Sequence, residues 1–298
     1  MNPPYRTDSC DLERFWKCGI QLSGARESRR NLLEGPSYGR VKEAMSWKGK
    51  VYLVAGVGSG LGSAVASLLA SSGATVVATA RSPKMLSTLE SHAHQRSWSL
   101  HPFQGDLSEP ADVDRLRHIL QGEFGQLEGV SLQTGRWVPG DTLLHKTTDD
   151  EWSRGISDNL DAIFRVSRAI IPLLLERKRG SVVLVSAADR VRWSGNVAYC
   201  VAKGGLVDLT RKLARDYRPY GIRFNAVLPG TMEHELPSLD PPEPSTPFPL
   251  KNASGSGAWE VARTIRFLLG DEARWITGAT IPVDGGFSTF GPESLHGP

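Results

Sequence analysis

The chain of 298 residues predicts an α/β fold, a doubly wound parallel sheet with helices on both faces. Three observations carry that expectation. Short apolar or β-branched runs alternate with stretches of helical spacing. The first run ends in a cluster of glycines, and a helical pattern starts directly after it. Composition allows a large buried core, with 40% hydrophobic and 22% charged residues.

The elements follow in order. Val51-Tyr52-Leu53-Val54-Ala55 is a short apolar run that stops at glycine, the pattern of a buried strand. Helical spacing over 60–72 ends near Gly73, and Thr75 to Thr79 is a second β-branched run. Gly129 to Leu132, Val182 to Val185, Ile222 to Leu228 and Thr280 to Val283 predict further strands. Helical patterns near 110–121, 150–178, 198–217 and 257–269 separate most of them. Residues 231–257 break the alternation. Pro237, Pro241, Pro242, Pro244, Pro247 and Pro249 exclude a helix or central strand there, and the segment reads as a lid over a substrate. A single domain over 47–290 follows, preceded by a loosely ordered extension at 1–46 and followed by a tail at 291–298.

Several function classes fall away on composition. The net charge is +3, and the densest basic stretches, at 26–30 and 176–179, each contain a glutamate, so no nucleic-acid partner is expected. No apolar run reaches the ~18–20 residues of a membrane span. Cys10, Cys18 and Cys200 form no disulfide framework, which suits a reducing, cytoplasmic setting. His145, Glu233 and His234 lack ligand spacing, and no metal site is expected.

The glycine cluster, Gly56-Val57-Gly58-Ser59-Gly60-Leu61-Gly62, sits between strand and helix. Glycines allow a tight turn, and the helix N-terminus adds N–H groups and partial positive charge suited to a diphosphate. A dinucleotide is therefore the expected ligand. A carboxylate ending the second strand would hydrogen-bond a ribose 2′-hydroxyl and repel a 2′-phosphate. This chain has Ala80-Arg81-Ser82 instead. Arg81 can fork onto a phosphate and Ser82 can add a donor, which favours NADP(H), with NAD(H) as the alternative if Arg81 only faces solvent.

Tyr199 and Lys203 lie one helical turn apart on one face. A free phenol has a pKa near ~10, and a nearby cation lowers it towards the range of proton transfer. Ser186 ends the apolar strand 182–185, thirteen residues before Tyr199, and Asn159 lies in the long helical stretch before that strand.

These motifs together resemble the short-chain dehydrogenase/reductase family, from about Trp47 to Phe287. The spacing Gly56-x-x-x-Gly60-x-Gly62 is similar to its glycine turn, with Ala55 where a threonine is usual. Ser186, Tyr199 and Lys203 match its Ser…Tyr-x-x-x-Lys arrangement, and Asn159 its fourth catalytic position. Ile222 to Gly230 resembles its sixth strand and Pro-Gly turn, and Ile276 to Gly286 its last strand and turn. The resemblance implies a Rossmann-type sheet and interconversion of a ketone or aldehyde with an alcohol. Tyr199 would be the general acid/base and Lys203 would lower its pKa and hold the nicotinamide ribose. Ser186 would bind the substrate oxygen and Asn159 would position a relay water. It implies cofactor contacts from Gly56, Ser59, Gly60, Leu61, Gly62, Arg81, Ser82, Asp106, Leu107, Gly135, Pro229, Gly230 and Thr231. Asp106 matches the aspartate at the adenine amino group, and helix capping is its other reading. A small carbonyl or alcohol substrate and a homodimer or homotetramer are implied as well.

Three points depart from the pattern. Family members often end the fifth strand with two serines, the second catalytic. Counting back from Tyr199 selects Ser186, whereas counting along the strand selects Ala187. The family's Asn-Asn-Ala-Gly is Leu132-Gln133-Thr134-Gly135 here, which alters packing around the cofactor's ribose. His234 stands where a threonine is frequent, with Thr231 as a substitute. A non-catalytic nucleotide sensor, or a lyase or epimerase on the same scaffold, are the competing readings.

Overall fold

The computed structural model describes residues 46–140, 142–232, 235–236, 238–243 and 257–288. The expected extension, except residue 46, and the 291–298 tail lie outside these residues. So do Glu233, His234, Pro237, Pro244, Pro247 and Pro249.

Seven parallel strands form one sheet: β1 (Val51–Ala55), β2 (Thr75–Ala80), β3 (Leu100–Gln104), β4 (Gly129–Leu132), β5 (Gly180–Val185), β6 (Ile222–Pro229) and β7 (Thr280–Val283). Their spatial order is β3-β2-β1-β4-β5-β6-β7. The chain winds outward in both directions from β1 and β4, so the connections leave a crevice at the carboxyl ends of these two strands. In register, Ala55 of β1 faces Thr79 on one side and Leu132 on the other.

Helices cover both faces. On one side α1 (Leu61–Ser71), α2 (Pro83–Gln95) and α8 (Ala258–Leu269) bury Val65, Leu69, Leu89 and Ile265 against Val54, Val76 and Val183. On the other, α3 (Pro110–Ile119), α5 (Ala162–Arg177) and α7 (Val197–Tyr217) bury Leu116, Ile163, Ile170 and Leu206 against Leu53, Val130 and Phe224. Burial of the sheet on both faces explains its near-continuous apolar strands. The short helices α4 (Asp149–Ile156) and α6 (Asp189–Ser194) complete the framework around α5 and α7.

The boundaries of β1, β4 and β7 match the apolar runs in the sequence. Two elements do not announce themselves by apolar periodicity. In β3 the only buried side chain is Phe103, and the strand carries Pro102, which an edge strand tolerates. Helix α2 buries only Leu86, Leu89 and Ala93. Its start signal lies in Ser82-Pro83, where the Ser82 hydroxyl accepts from Met85 N and proline takes the first turn.

The expected 150–178 helix is three pieces. A capping box between Thr148 and Glu151 starts α4. A π-helical turn over Ser157–Asp161 then joins α4 to α5, which tolerates Pro172. Such wide turns commonly occur at functional sites, and this one carries Asn159.

Candidate active site

The glycine turn begins where β1 ends. Gly56 has φ +97°, and a Cβ there would meet Thr134 N at 2.8 Å. Only glycine satisfies both constraints. Gly56 N donates to Thr79 Oγ1 at 3.1 Å, and Val57 N to Thr79 O at 2.7 Å, tying the turn to β2. At the helix start, a Cβ on Gly62 would come within 2.5 Å of Gly56 O, so the helix N-terminus packs directly on the turn.

A cleft of about 320 Å³ opens above this turn. Arg81, Asp106, Leu107 and Ser108 line one end, Gly56 to Gly58 its floor, and Gln133 to Gly135 its other wall. Arg81 Nη1 lies 3.7 Å from Asp106 Oδ2. Asp106 Oδ1 accepts from Ser108 N at 2.9 Å and Ser108 Oγ at 2.6 Å. Burial opposes ionisation of Asp106, but the Ser108 hydrogen bonds and Arg81 outweigh it and hold the carboxyl below its ordinary range. Asp106 thus orders the loop before α3, whose N-cap residue is Glu109. Backbone N–H groups, a helix N-terminus and a cation along one cleft suit a dinucleotide carrying a diphosphate.

A second cavity, of about 420 Å³, is lined by Gly60, Leu61, Trp137, Tyr199, Gly230 and Met232, among others. Leu61 lines both spaces, so they adjoin at the start of α1. Tyr199 and Lys203 sit in the first two turns of α7. The Asn196 side chain caps this helix and accepts from Tyr199 N at 2.8 Å. The strand-like bridge between Pro139 and Gly195 holds the loop after β4 against that cap.

Both side chains are buried. Lys203 Nζ donates to Val185 O at 3.1 Å and lies 5.9 Å from the Tyr199 ring centroid. Burial pushes the phenol up to about 12 and draws the ammonium down to about 8. The expected lowering of the phenol by Lys203 does not offset burial in this arrangement. Asn159 is completely buried. Its Oδ1 accepts from Arg136 N at 3.0 Å, while its Nδ2 donates to Arg136 O at 3.1 Å and Gly155 O at 3.0 Å. Gly135 lies between the two groups: a Cβ there would be 2.6 Å from Asn159 Oδ1 and 2.8 Å from Lys203 Nζ.

The arrangement of a cofactor-sized cleft, a buried Tyr–Lys pair and a buried Asn agrees with the comparisons to known proteins. A family model described as enoyl-(acyl carrier protein) reductase matches residues 56–288. The chain belongs to the short-chain dehydrogenase/reductase family. The 3-oxoacyl-[acyl-carrier-protein] reductase of Escherichia coli is 30% identical over 245 residues, 81% of this chain and 98% of the relative. The protein of that name from Pseudomonas aeruginosa is 34% identical over 251 residues, with the same coverage. A Burkholderia xenovorans structure described as a short-chain dehydrogenase/reductase superposes with a TM-score of 0.72 at 26% identity, covering 83% of this chain and all of that one. This short-chain dehydrogenase/reductase is accordingly an oxidoreductase that uses a nicotinamide dinucleotide.

Within the family framework the remaining predicted residues divide. Gly56, Leu61, Gly62, Arg81, Asp106, Leu107 and Gly135 line the cleft above the glycine turn. Gly60, Gly230 and Thr231 line the neighbouring cavity with Tyr199. Ser59 is at the turn, where its carbonyl accepts from Leu236 N at 3.0 Å. Ser82 caps α2, and the Pro229 carbonyl accepts from Ala188 N at 2.8 Å. Ser186 is buried, and its Oγ donates to the Lys203 carbonyl at 2.6 Å.

Part of the expected lid is described. Met232, Leu236 and Leu239 pack on the core, and Asp240 binds Arg96 and His92 of α2 and its C-cap. Trp193 is largely exposed and does not line this cavity. The cavity instead takes Trp137, Val191 and Ser194, brought together by the Pro139–Gly195 bridge between distant loops. Thr79 was legible as a polar residue in an apolar strand, and its hydroxyl holds the glycine turn. Among the described residues, no helix is long and apolar enough to cross a membrane, and no cluster of His, Cys, Asp or Glu could hold a metal.

Proposed function

We propose that the chain reduces a ketone carried on an apolar substrate, with NADPH preferred over NADH. The observation that carries this reading is the adjacency of the dinucleotide cleft to a cavity lined by Tyr199 and by Leu61, Trp137, Val191 and Met232. The named relatives are 3-oxoacyl-[acyl-carrier-protein] reductases, and an apolar cavity beside the tyrosine suits an acyl chain.

A reduced nicotinamide dinucleotide, when held by the glycine turn and the walls of the cleft, would supply the hydride for the carbonyl carbon. The chain manages the proton. Tyr199 Oη gives its proton to the carbonyl oxygen, which becomes the alcohol hydroxyl. Lys203, protonated below about 8, supplies the positive charge that favours the resulting phenolate. Asn159 fixes the main chain at Arg136 and the wall at Gly135, beside Lys203. Arg81 at one end of the cleft would hold a 2′-phosphate, and its position there, with no carboxylate ending β2, supports the NADPH preference. In the reverse direction Tyr199 accepts the alcohol proton.

The decisive measurement is NADPH oxidation with a panel of 3-oxoacyl thioesters and simple ketones, for the wild type and Tyr199→Phe. Turnover lost in the variant, with NADPH affinity retained, is expected. NADPH binding with no turnover of any carbonyl, and no change on Tyr199→Phe, would establish the sensor reading instead. Assembly into a homodimer or homotetramer is proposed as well. Its support is β7, an edge strand of partly exposed residues, which proteins generally cover. Sedimentation velocity of the full chain tests it, and a monomer at micromolar concentration would refute it.

A further inference from the structure

A third cavity, of about 380 Å³, opens at the amino ends of β1, β5 and β6, the end of the sheet away from the glycine turn. It shares no lining residue with the cleft or with the Tyr199 cavity. Four arginines line it, Arg179, Arg218, Arg223 and Arg274, against two carboxylates, Glu128 and Asp271. The carboxylates are neutralised within the fold. Glu128 pairs with Arg177 at 2.5 Å and Arg179 at 3.4 Å, and Asp271 with Lys50 at 3.1 Å and Arg179 at 2.8 Å. Arg223 is occupied by the carbonyls of Leu268, Gly270 and Ile276. Arg218 and Arg274 remain. Among the described residues, neither guanidinium has an ion pair or a hydrogen bond.

Two more side chains set the chemistry of the cavity. Tyr52 is only 2% exposed yet lines it, and its hydroxyl has no hydrogen-bond partner among the described residues. Burial first, and then the Glu128 and Asp271 carboxylates, push its ionisation up, so the phenol stays a donor. Buried polar groups without partners are costly and rare. At the rim the Trp275 indole is 90% exposed and free to stack on a flat ring.

We propose that this cavity is a second ligand site, which takes a nucleoside monophosphate: Arg218, Arg274 and the Tyr52 hydroxyl hold the phosphate, and Trp275 carries the base. The site goes beyond the carbonyl-reductase reading and does not depend on it.

The donor set selects this class. Guanidiniums fork onto phosphate oxygens, and a phenol O–H donates to a further one. A phosphate has acceptors for all of them, and its charge answers two uncompensated cations. A neutral nucleoside would leave those cations unanswered, and inorganic phosphate would leave the indole unused. The volume lies within the ~300–1,000 Å³ range of small-molecule sites.

The test is binding of AMP, ribose 5-phosphate and NADPH by titration calorimetry, at low salt, on the full chain. AMP is expected to bind the wild type, and ribose 5-phosphate roughly tenfold more weakly for want of the base. Arg218→Ala and Arg274→Ala should each weaken AMP roughly tenfold, the loss of a charge-assisted contact, while the Kd for NADPH stays unchanged. Tyr52→Phe should weaken AMP roughly threefold and keep the wild-type melting temperature, since the hydroxyl has no partner in the fold. Trp275→Ala should remove the advantage of AMP over ribose 5-phosphate.

No AMP binding by the folded wild type would overturn the proposal, as would an unchanged AMP affinity in the Arg218→Ala/Arg274→Ala double variant. Equal affinities of the wild type for AMP and ribose 5-phosphate would refute the part given to the base. A lowered melting temperature in Tyr52→Phe with unchanged AMP affinity would show that the hydroxyl serves the fold. Dissociation of an oligomer in Trp275→Ala with unchanged AMP affinity would show a subunit contact instead. Failure of NADPH to bind, with AMP held by the arginines, would refute the dinucleotide reading and leave this site standing.

Discussion

The hydroxyl of Ser186 donates a 2.6 Å hydrogen bond to the main-chain carbonyl of Lys203. This bond ties the end of β5 to the helix turn that carries the ammonium, and a second bond, from Lys203 Nζ to Val185 O, reinforces it. Ser186→Ala removes a buried hydrogen bond, worth about 1 kcal/mol. A melting temperature lower by ~2–4 °C is expected for a domain of this size, with a shifted pH profile of activity. A large fall in kcat with unchanged melting temperature and pH profile would show that the hydroxyl serves the substrate oxygen instead.

Gly135 keeps Asn159 and Lys203 in close approach. A Cβ at Gly135 would stand 2.6 Å from one and 2.8 Å from the other. Gly135→Ala is expected to cost ~1–3 kcal/mol through overpacking and to lower kcat at least roughly tenfold by displacing the ammonium. Thermal melting and steady-state kinetics check both effects. Wild-type values for the two together would mean that the cluster has slack.

Lys203 makes pH dependence a sharp test. Burial lowers its pKa from 10.5 to about 8, so between those values the unfolded chain binds more protons than the folded one. Stability from this group therefore rises with pH across about 8 to 10.5. At pH 7 the buried charge costs about 3 kcal/mol at ~1.4 kcal/mol per unit. Lys203→Met, less ~1 kcal/mol for the lost hydrogen bond, is expected to raise stability at pH 7 and to abolish turnover. The stability gap between variant and wild type should close as pH approaches 10.5. Calorimetry over pH 7–10 reads this, and a variant less stable than the wild type at every pH contradicts it. Carbonyl reduction by the wild type should decline above about 8, where the ammonium loses its charge.

Arg81 stands at one end of the cleft with an exposed side chain beside Asp106. Arg81→Ala is expected to raise the Kd for NADPH roughly 10- to 100-fold, the scale of a charge-assisted contact. The Kd for NADH should change little. Equal losses for the two cofactors would show that Arg81 does not read the 2′-phosphate.

The parallel sheet was readable because its strands are buried on both faces, and burial writes itself as apolar runs such as 51–55 and 129–132. The edge strand β3 has only Phe103 inside, so no run marks it. Helix α2 was not predicted, because its apolar stripe is narrow and its start signal lies in Ser82-Pro83 alone. Tyr199 and Lys203 share a helix face through local spacing alone. Asn159 is different: its contacts with Arg136 and Gly155 depend on a π-helical turn that residue periodicity does not encode.

Local order of residues therefore established the alternating fold, the glycine turn and the helical Tyr–Lys pair, because each depends on near neighbours in the chain. Which way Ser186 points, what surrounds Lys203, and that Gln133 is left without a partner depend on contacts between β5, α7 and the β4 loop. Those segments lie far apart in sequence, and their side chains meet only when the sheet brings the ends of β1, β4 and β5 together. The direction of a hydroxyl or the burial of an amide is then decided by packing, which acts across the folded chain and leaves no periodic trace along it.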